Sequence, residues 1–240
     1  VIKFAPDGYP YIVTALFVTF ITSLLLLWSL KTGGPHLIKF YLLLGVSFLS
    51  FIISVFIAFF FRDPERVIPQ AKGLLVSPAD GKVILIRDTF EDDYLKSETR
   101  EVSIFMSPLD VHVNRVPCDG RVIDVKHTTG KFLSAYKDDA SLKNENIVLL
   151  LEGDSGKILV RQVAGFIARR AVCRAKVGDM LRRGERYGMI KFGSRLDIYL
   201  PKDVRIMVQV GDKVKAGETV IAADSSRPRE GSRRPEYIRD

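Results

Sequence analysis

Two stretches without a single charged residue, 10–30 and 40–61, decide what the front of this 240-residue chain can become. At 1.5 Å per residue, roughly 20 helical residues cross a hydrocarbon layer of about 30 Å, and each stretch is that long. In such a layer a helix satisfies its own backbone hydrogen bonds, which an irregular segment cannot do. A secretory signal peptide would have a shorter apolar part and no second one close behind it. The link Lys31-Thr32-Gly33-Gly34-Pro35-His36-Leu37-Ile38-Lys39 carries the glycines and proline that turn a chain. Residues 1–62 are therefore expected to form an antiparallel two-helix transmembrane hairpin with both ends on one side. Lys31 and Lys39 flank the turn, while Lys3, Arg62, Arg66 and Lys72 flank the outer ends. The positive-inside count favours outer ends in the cytoplasm, so the expected location is the cell membrane with the rest of the chain on the cytoplasmic side.

Beyond Arg62 the apolar period changes to two. Short runs at 74–76, 82–86, 101–105, 120–125, 147–151, 158–163, 197–200 and 204–208 are separated by Gly, Pro, Asp or Asn. That pattern predicts a mainly β domain of sandwich or barrel type over residues 63–224. The spacing over 164–172 suits either a short helix or a strand. Residues 210–222 look like the hairpin of lipoyl-type β-sandwich domains, without a clear match for the lysine those carriers modify. Residues 225–240, rich in Arg, Pro, Ser and Glu, have little to bury and are expected to form a disordered tail.

Of the net charge of +8, Lys3, Lys31, Lys39 and Arg62 against Asp7 account for +3, which leaves +5 beyond residue 62. A basic surface tethered to a bilayer is drawn to anionic lipid. No nucleic-acid-binding motif or basic helix accompanies the charge, so nucleic acid is not an expected partner. Cys118 and Cys173 have neither metal-ligand spacing nor a disulfide framework, and read as small buried hydrophobes; no metal is expected.

The chemistry is carried by Phe192-Gly193-Ser194-Arg195. Alone, a Gly-Ser pair is most often a turn. Upstream, however, stand Phe61-Arg62-Asp63-Pro64-Glu65-Arg66, Ser77-Pro78-Ala79-Asp80-Gly81-Lys82-Val83, the run from Phe105-Met106-Ser107-Pro108 through Asp110 and His112 to Pro117, and Gln162-Val163-Ala164-Gly165. In this order and spacing the motifs resemble the short-form, pyruvoyl-dependent phosphatidylserine decarboxylases, over about residues 61–224. The resemblance implies self-cleavage between Gly193 and Ser194 and a covalent pyruvoyl group derived from Ser194. That group would form a Schiff base with phosphatidylserine, release CO2 and yield phosphatidylethanolamine. It also implies large and small subunits made from one chain. The sequence shows no convincing cradle for pyridoxal phosphate, the other electron sink for such a reaction.

By the same resemblance His112 is the candidate base, oriented by Asp80, for activation of Ser194, and the candidate proton donor in decarboxylation. Three histidines are present; His36 falls in the hairpin turn and His127 in a solvated, turn-like context. The longer branch of the family has a second histidine where this chain has Arg115. Arginine cannot act as a base, so Arg115 is a candidate ligand for substrate carboxylate or phosphate, or else a structural ion-pair partner. Asn144 is a further candidate site residue. A homodimer at the membrane is also expected, with no particular residue behind it. Three rival readings remain open: a membrane-tethered serine hydrolase using Ser194, His112 and Asp80, though no Gly-x-Ser-x-Gly elbow surrounds the serine; a non-enzymatic membrane adaptor; and an archaetidylserine decarboxylase.

Overall fold

The two uncharged runs form helices α1 (Tyr9–Lys31) and α2 (Leu37–Phe60) in the computed structural model, which describes residues 3–31, 37–130, 144–165, 171–191 and 194–225. Most of the turn between them, His36 included, lies outside the described residues, as do Phe192, Gly193 and the expected tail beyond Ser225. Among the described residues, three hydroxyl pairs join the helices: Thr19 with Ser54 at 2.9 Å, Thr22 with Ser50 at 3.0 Å and Ser23 with Ser47 at 3.0 Å. One partner rises in number as the other falls, so the helices run antiparallel. Small hydroxyl residues let the two backbones approach and bond to each other where no water competes. The outer faces expose Phe17, Phe20, Trp28, Phe48 and Phe51, a surface suited to lipid.

The rest is mainly β, as its two-residue period predicts. The strands are β1 (Leu74–Val76), β2 (Gly81–Glu91), β3 (Ser97–Met106), β4 (Val113–Arg115), β5 (Gly120–Thr128), β6 (Asn146–Gly153) and β7 (Gly156–Ala164), then β8 (Ala171–Cys173), β9 (Met180–Leu181), β10 (Arg186–Ile190), β11 (Ser194–Pro201), β12 (Arg205–Ile206), β13 (Lys213–Val214) and β14 (Val220–Ala223). An eight-stranded antiparallel sheet, curled into a half-barrel, runs β13-β2-β3-β11-β7-β6-β5-β9. Two small sheets, β1-β14-β12 and β4-β10-β8, complete the architecture. The main core lies between them. Ile104, Val160, Leu196, Ile198 and Leu200 of the large sheet meet Leu75, Tyr187, Ile190 and Ile221 of the small ones. In the ambiguous 164–172 stretch, 171–173 is strand and 166–170 lies outside the described residues. The lipoyl-like unit is divided between sheets, with β13 on β2 and β14 on β1 and β12. Its turn is held instead by the 77–80 loop: the Ala216 N–H donates to Asp80 Oδ1 (2.8 Å) and the Gly217 N–H to the Ser77 carbonyl (2.8 Å).

The second face of β11 is also buried, but by charge. Alternate residues Arg195, Asp197 and Tyr199 point away from the main core, as a two-residue period requires. Arg195 Nε donates to Asp197 Oδ1 (2.6 Å), and Nη2 donates to Ser103 Oγ (2.9 Å) and lies 3.4 Å from Glu101 Oε1. Nearby, Arg161 bonds Tyr199 Oη and Glu91. Removing one charge from such a buried set typically costs about 3–5 kcal/mol. Arg195→Met, which takes the cation from between two carboxylates, is expected to lower the thermal midpoint of the detergent-solubilised protein by about 10 °C. An unchanged midpoint would show that the network is not a stabilising element.

Candidate active site

The strand register brings four motifs to one end of the large sheet. Ser194, the first residue of β11, is paired with Met106 at the end of β3 and with Ala164 at the end of β7. One step along, Arg195 and Lys82 both pair with Phe105, so Asp80, two residues before Lys82, lies at the same end. The chain enters β2 through Gly81 at φ +153°, where a Cβ would stand 2.2 Å from the Phe105 carbonyl oxygen; only glycine fits behind Asp80. Asn144 joins them, its amide donating to the Ala164 carbonyl at 2.8 Å.

Ser194 is fully buried, and its Oγ has no hydrogen-bond partner among the described residues. Gly193 lies outside them. His112 occupies the link between β3 and β4, and its carbonyl accepts from the Ile190 N–H at 3.3 Å, four residues before Ser194. Its imidazole is wholly buried and packs against the Phe60 ring, 4.2 Å between ring centroids and tilted by 36°. Nδ1 is 2.9 Å from the Asp110 carbonyl oxygen. A carbonyl can only accept, so Nδ1 carries the proton and Nε2 keeps its lone pair, buried and without a partner among the described residues. Burial lowers the imidazole pKa to about 4, with the Arg62 charge acting in the same direction and the Asp110 carbonyl opposing it. At neutral pH the His112 imidazole is uncharged.

The Asp80 carboxylate bonds groups other than His112. Its Oδ2 accepts from Arg66 Nη2 at 2.7 Å and its Oδ1 from the Ala216 N–H, while the contact that orients His112 comes from Asp110. Burial pushes the Asp80 carboxyl up, offset in part by Arg66 and the Ala216 N–H. Arg115 is buried, donating to Asp63 Oδ1 (3.1 Å), the Pro64 carbonyl (3.0 Å) and the Gly184 carbonyl (2.9 Å). All three partners belong to the chain itself. His127 is half-exposed on the surface beside Glu145. Cys118 is buried in the main core, which pushes its thiol up to about 12, and burial also raises Cys173, so neither is a ready nucleophile.

Two sets of residues emerge that sequence reasoning quoted without assigning a role, or passed over. Gln162 Nε2 donates to Asn114 Oδ1 at 2.8 Å; both side chains are buried, and the Asn114 amide also reaches Met106 Sδ. An uncharged polar residue inside Val113-Asn114-Arg115 was the available signal for Asn114. The 61–66 motif acts as a buckle: Arg62 donates to the Phe59 and Leu109 carbonyls, Asp63 accepts from Arg115 and Arg186, and Arg66 pairs with Asp80 and Glu218. It ties the foot of α2 to the loops that carry the site.

Fold and site together define the class, a mainly β enzyme built onto two helices long and apolar enough to cross a membrane. A family profile described as Phosphatidylserine decarboxylase matches residues 53–222. The chain is 46% identical over 218 residues to a "Phosphatidylserine decarboxylase proenzyme" of Geotalea uraniireducens, covering 90% of this chain and 94% of the relative. It is 47% identical over 218 residues to the protein of that name in Syntrophotalea carbinolica, with the same coverage, and 46% over 202 residues to that of Syntrophus aciditrophicus, covering 80% and 95%. The chain belongs to the phosphatidylserine decarboxylase family.

Proposed function

We propose that this chain is made as a proenzyme, cuts itself between Gly193 and Ser194, and then decarboxylates phosphatidylserine to phosphatidylethanolamine at the membrane surface. The observation that carries this reading is the Ser194 hydroxyl, buried and unbonded at the head of a central strand, in a chain whose relatives are named proenzymes. Leaving a buried hydroxyl without a partner costs about 1–3 kcal/mol, a cost explained where the group must react.

In the cleavage, His112 Nε2 takes the proton from Ser194 Oγ, and the oxygen adds to the Gly193 carbonyl carbon. Breaking the C–N bond between the two residues, with a proton to nitrogen, leaves an ester and a free amine. Loss of the Cα proton and of the Cβ–Oγ bond then frees Gly193 as a carboxylate and makes residue 194 dehydroalanine. Hydrolysis replaces its nitrogen, released as ammonia, and the pyruvoyl group results. That group supplies the electron sink for breaking a C–COO bond, which no ordinary side chain offers. The surroundings of position 194 suit a small uncharged group: Met106, Ala164 and Asn144 are buried there and keep water away. In the decarboxylation itself, His112 holds the proton returned to Cα of the product. Asp80 sets the 215–217 turn and Arg66, and Arg115 holds the anchor buckle through Asp63.

The cut would leave residues 1–193 and 194–240 interleaved, since β11 lies between β3 and β7 and β14 pairs with β1. The basic outer ends of the hairpin support a cytoplasmic β domain facing an anionic leaflet. The hydrolase reading is disfavoured because both Asp80 oxygens serve Arg66 and Ala216 rather than His112. The purified protein, given vesicles of phosphatidylserine labelled at the serine carboxyl, is expected to release labelled CO2 and form phosphatidylethanolamine. Free serine or fatty acid without CO2 would overturn the proposal.

A further inference from the structure

The second core of the molecule is shared between the membrane hairpin and the site. It contains Ala5, Phe60 and Phe61 from the hairpin side, and Val111, Val113 and Met189 from the segments that flank His112 and lead to the cleavage region. Phe60 and Phe61 are the least exposed residues at the foot of α2, both at 0%, although the helix above them is largely exposed. Hydropathy alone would assign both to lipid. Phe60 packs edge-on against Phe61, and the N-terminal segment holds Phe61. The Ala5 N–H donates to the Phe61 carbonyl at 2.8 Å, Tyr11 stacks on Phe61 at 5.4 Å, and Gly8 leaves room that a Cβ, 2.5 Å from the Phe61 side chain, would take. Arg62 Nη2 then donates to the Leu109 carbonyl at 2.7 Å, fastening the helix foot to the loop that carries His112.

We propose that Phe60 is a positioning residue of the active site: the last residue of the second membrane helix roofs the His112 imidazole and keeps water from its free Nε2. Seating of the hairpin and assembly of the catalytic base are then one structural event. This inference rests on the reading of His112 as the proton carrier. An aromatic ring at 4.2 Å occupies space from which water would otherwise solvate an imidazolium. Few charged groups compete with that effect. The Arg62 guanidinium comes from the helix foot, and the Asp110 carboxylate on the same loop already accepts from the Ser107 N–H at 2.8 Å. From the end of β10, Lys191 lies over the Tyr11 ring at 5.0 Å. Opening the roof removes the desolvation that holds the imidazole near 4, so its titration moves up towards the ordinary histidine value.

The test uses the full chain in phosphatidylserine-containing vesicles, with His36→Gln and His127→Gln leaving His112 as the only histidine signal. Phe60→Ala is expected to raise the midpoint of the His112 proton-resonance titration by about one unit or more, and Phe60→Leu by less. The rate of self-cleavage should follow: near the parent rate at pH 8, and lower than the parent at pH 5.5, by about a fifth for a one-unit rise and by about tenfold where the midpoint reaches the ordinary histidine value. Should Phe60→Ala fail to fold, the leucine variant decides by the same titration. Midpoints that stay at the parent value in the folded variants overturn the proposal. A separate His112→Gln chain that cleaves at the parent rate would instead overturn the reading of His112, whatever the Phe60 variants do.

Discussion

Ser194→Ala is expected to remain a single chain of about 27.0 kDa under all conditions, with no decarboxylation above background. The hydroxyl is the only atom of the side chain that can attack the Gly193 carbonyl, and without it neither the cut nor the prosthetic group can form. The loss should be purely chemical. The Oγ that is removed has no partner among the described residues, so its deletion leaves no donor or acceptor stranded and frees the fold of a buried, unbonded polar atom. The variant should therefore melt at or slightly above the temperature of the uncut parent. Scanning calorimetry beside denaturing mass measurement checks both halves; a variant that still yields two fragments would locate the reacting oxygen elsewhere.

His112→Ala should slow self-cleavage by about 10²–10⁴-fold, the range in which a positioned proton acceptor contributes. The free nitrogen is Nε2, because Nδ1 faces the Asp110 carbonyl, and the other described histidine, His127, is half-exposed beside Glu145. Pulse-labelled chain followed over hours gives the rate. Asp80→Asn offers the contrast. Because the aspartate serves Arg66 and Ala216 rather than the imidazole, its replacement should disturb the 77–80 and 215–217 loops and lower stability, with a smaller effect on the proton transfer itself. Cleavage of His112→Ala at the parent rate would remove the base from the scheme.

Much of this architecture was legible because it follows from water and oil. The helices lie within three residues of the uncharged runs, since a charge in hydrocarbon is what ends a membrane span. The run 74–76 coincides with β1 and 204–208 overruns the short β12, but the other alternations fell inside strands that extend beyond them. Residues 82–86 extend to Gly81–Glu91, and 197–200 to Ser194–Pro201. The missed residues include Arg195, which reads as a surface residue until Glu101, 94 positions away, is placed beside it. Long-range charge pairing leaves no period in a sequence. The same limit hid the working partners of Asp80 and Arg115, which the 61–66 motif supplies, and the contact between Phe60 and His112. An apolar helix end that packs on an imidazole has the same hydropathy as one that meets lipid.

In the proposed scheme Ser194 is consumed to make the reactive group, and the intact masses of the denatured wild-type protein reveal whether it is. Self-processing predicts two fragments, divided after Gly193, whose masses sum to the parent chain plus about one dalton, because water of about 18 Da enters and ammonia of about 17 Da leaves. Simple hydrolysis of the same bond adds about 18 Da and keeps an amine at residue 194. Two fragments with the one-dalton sum and a blocked small-fragment terminus are the predicted result; a single chain, or a pair retaining an intact serine, would contradict it.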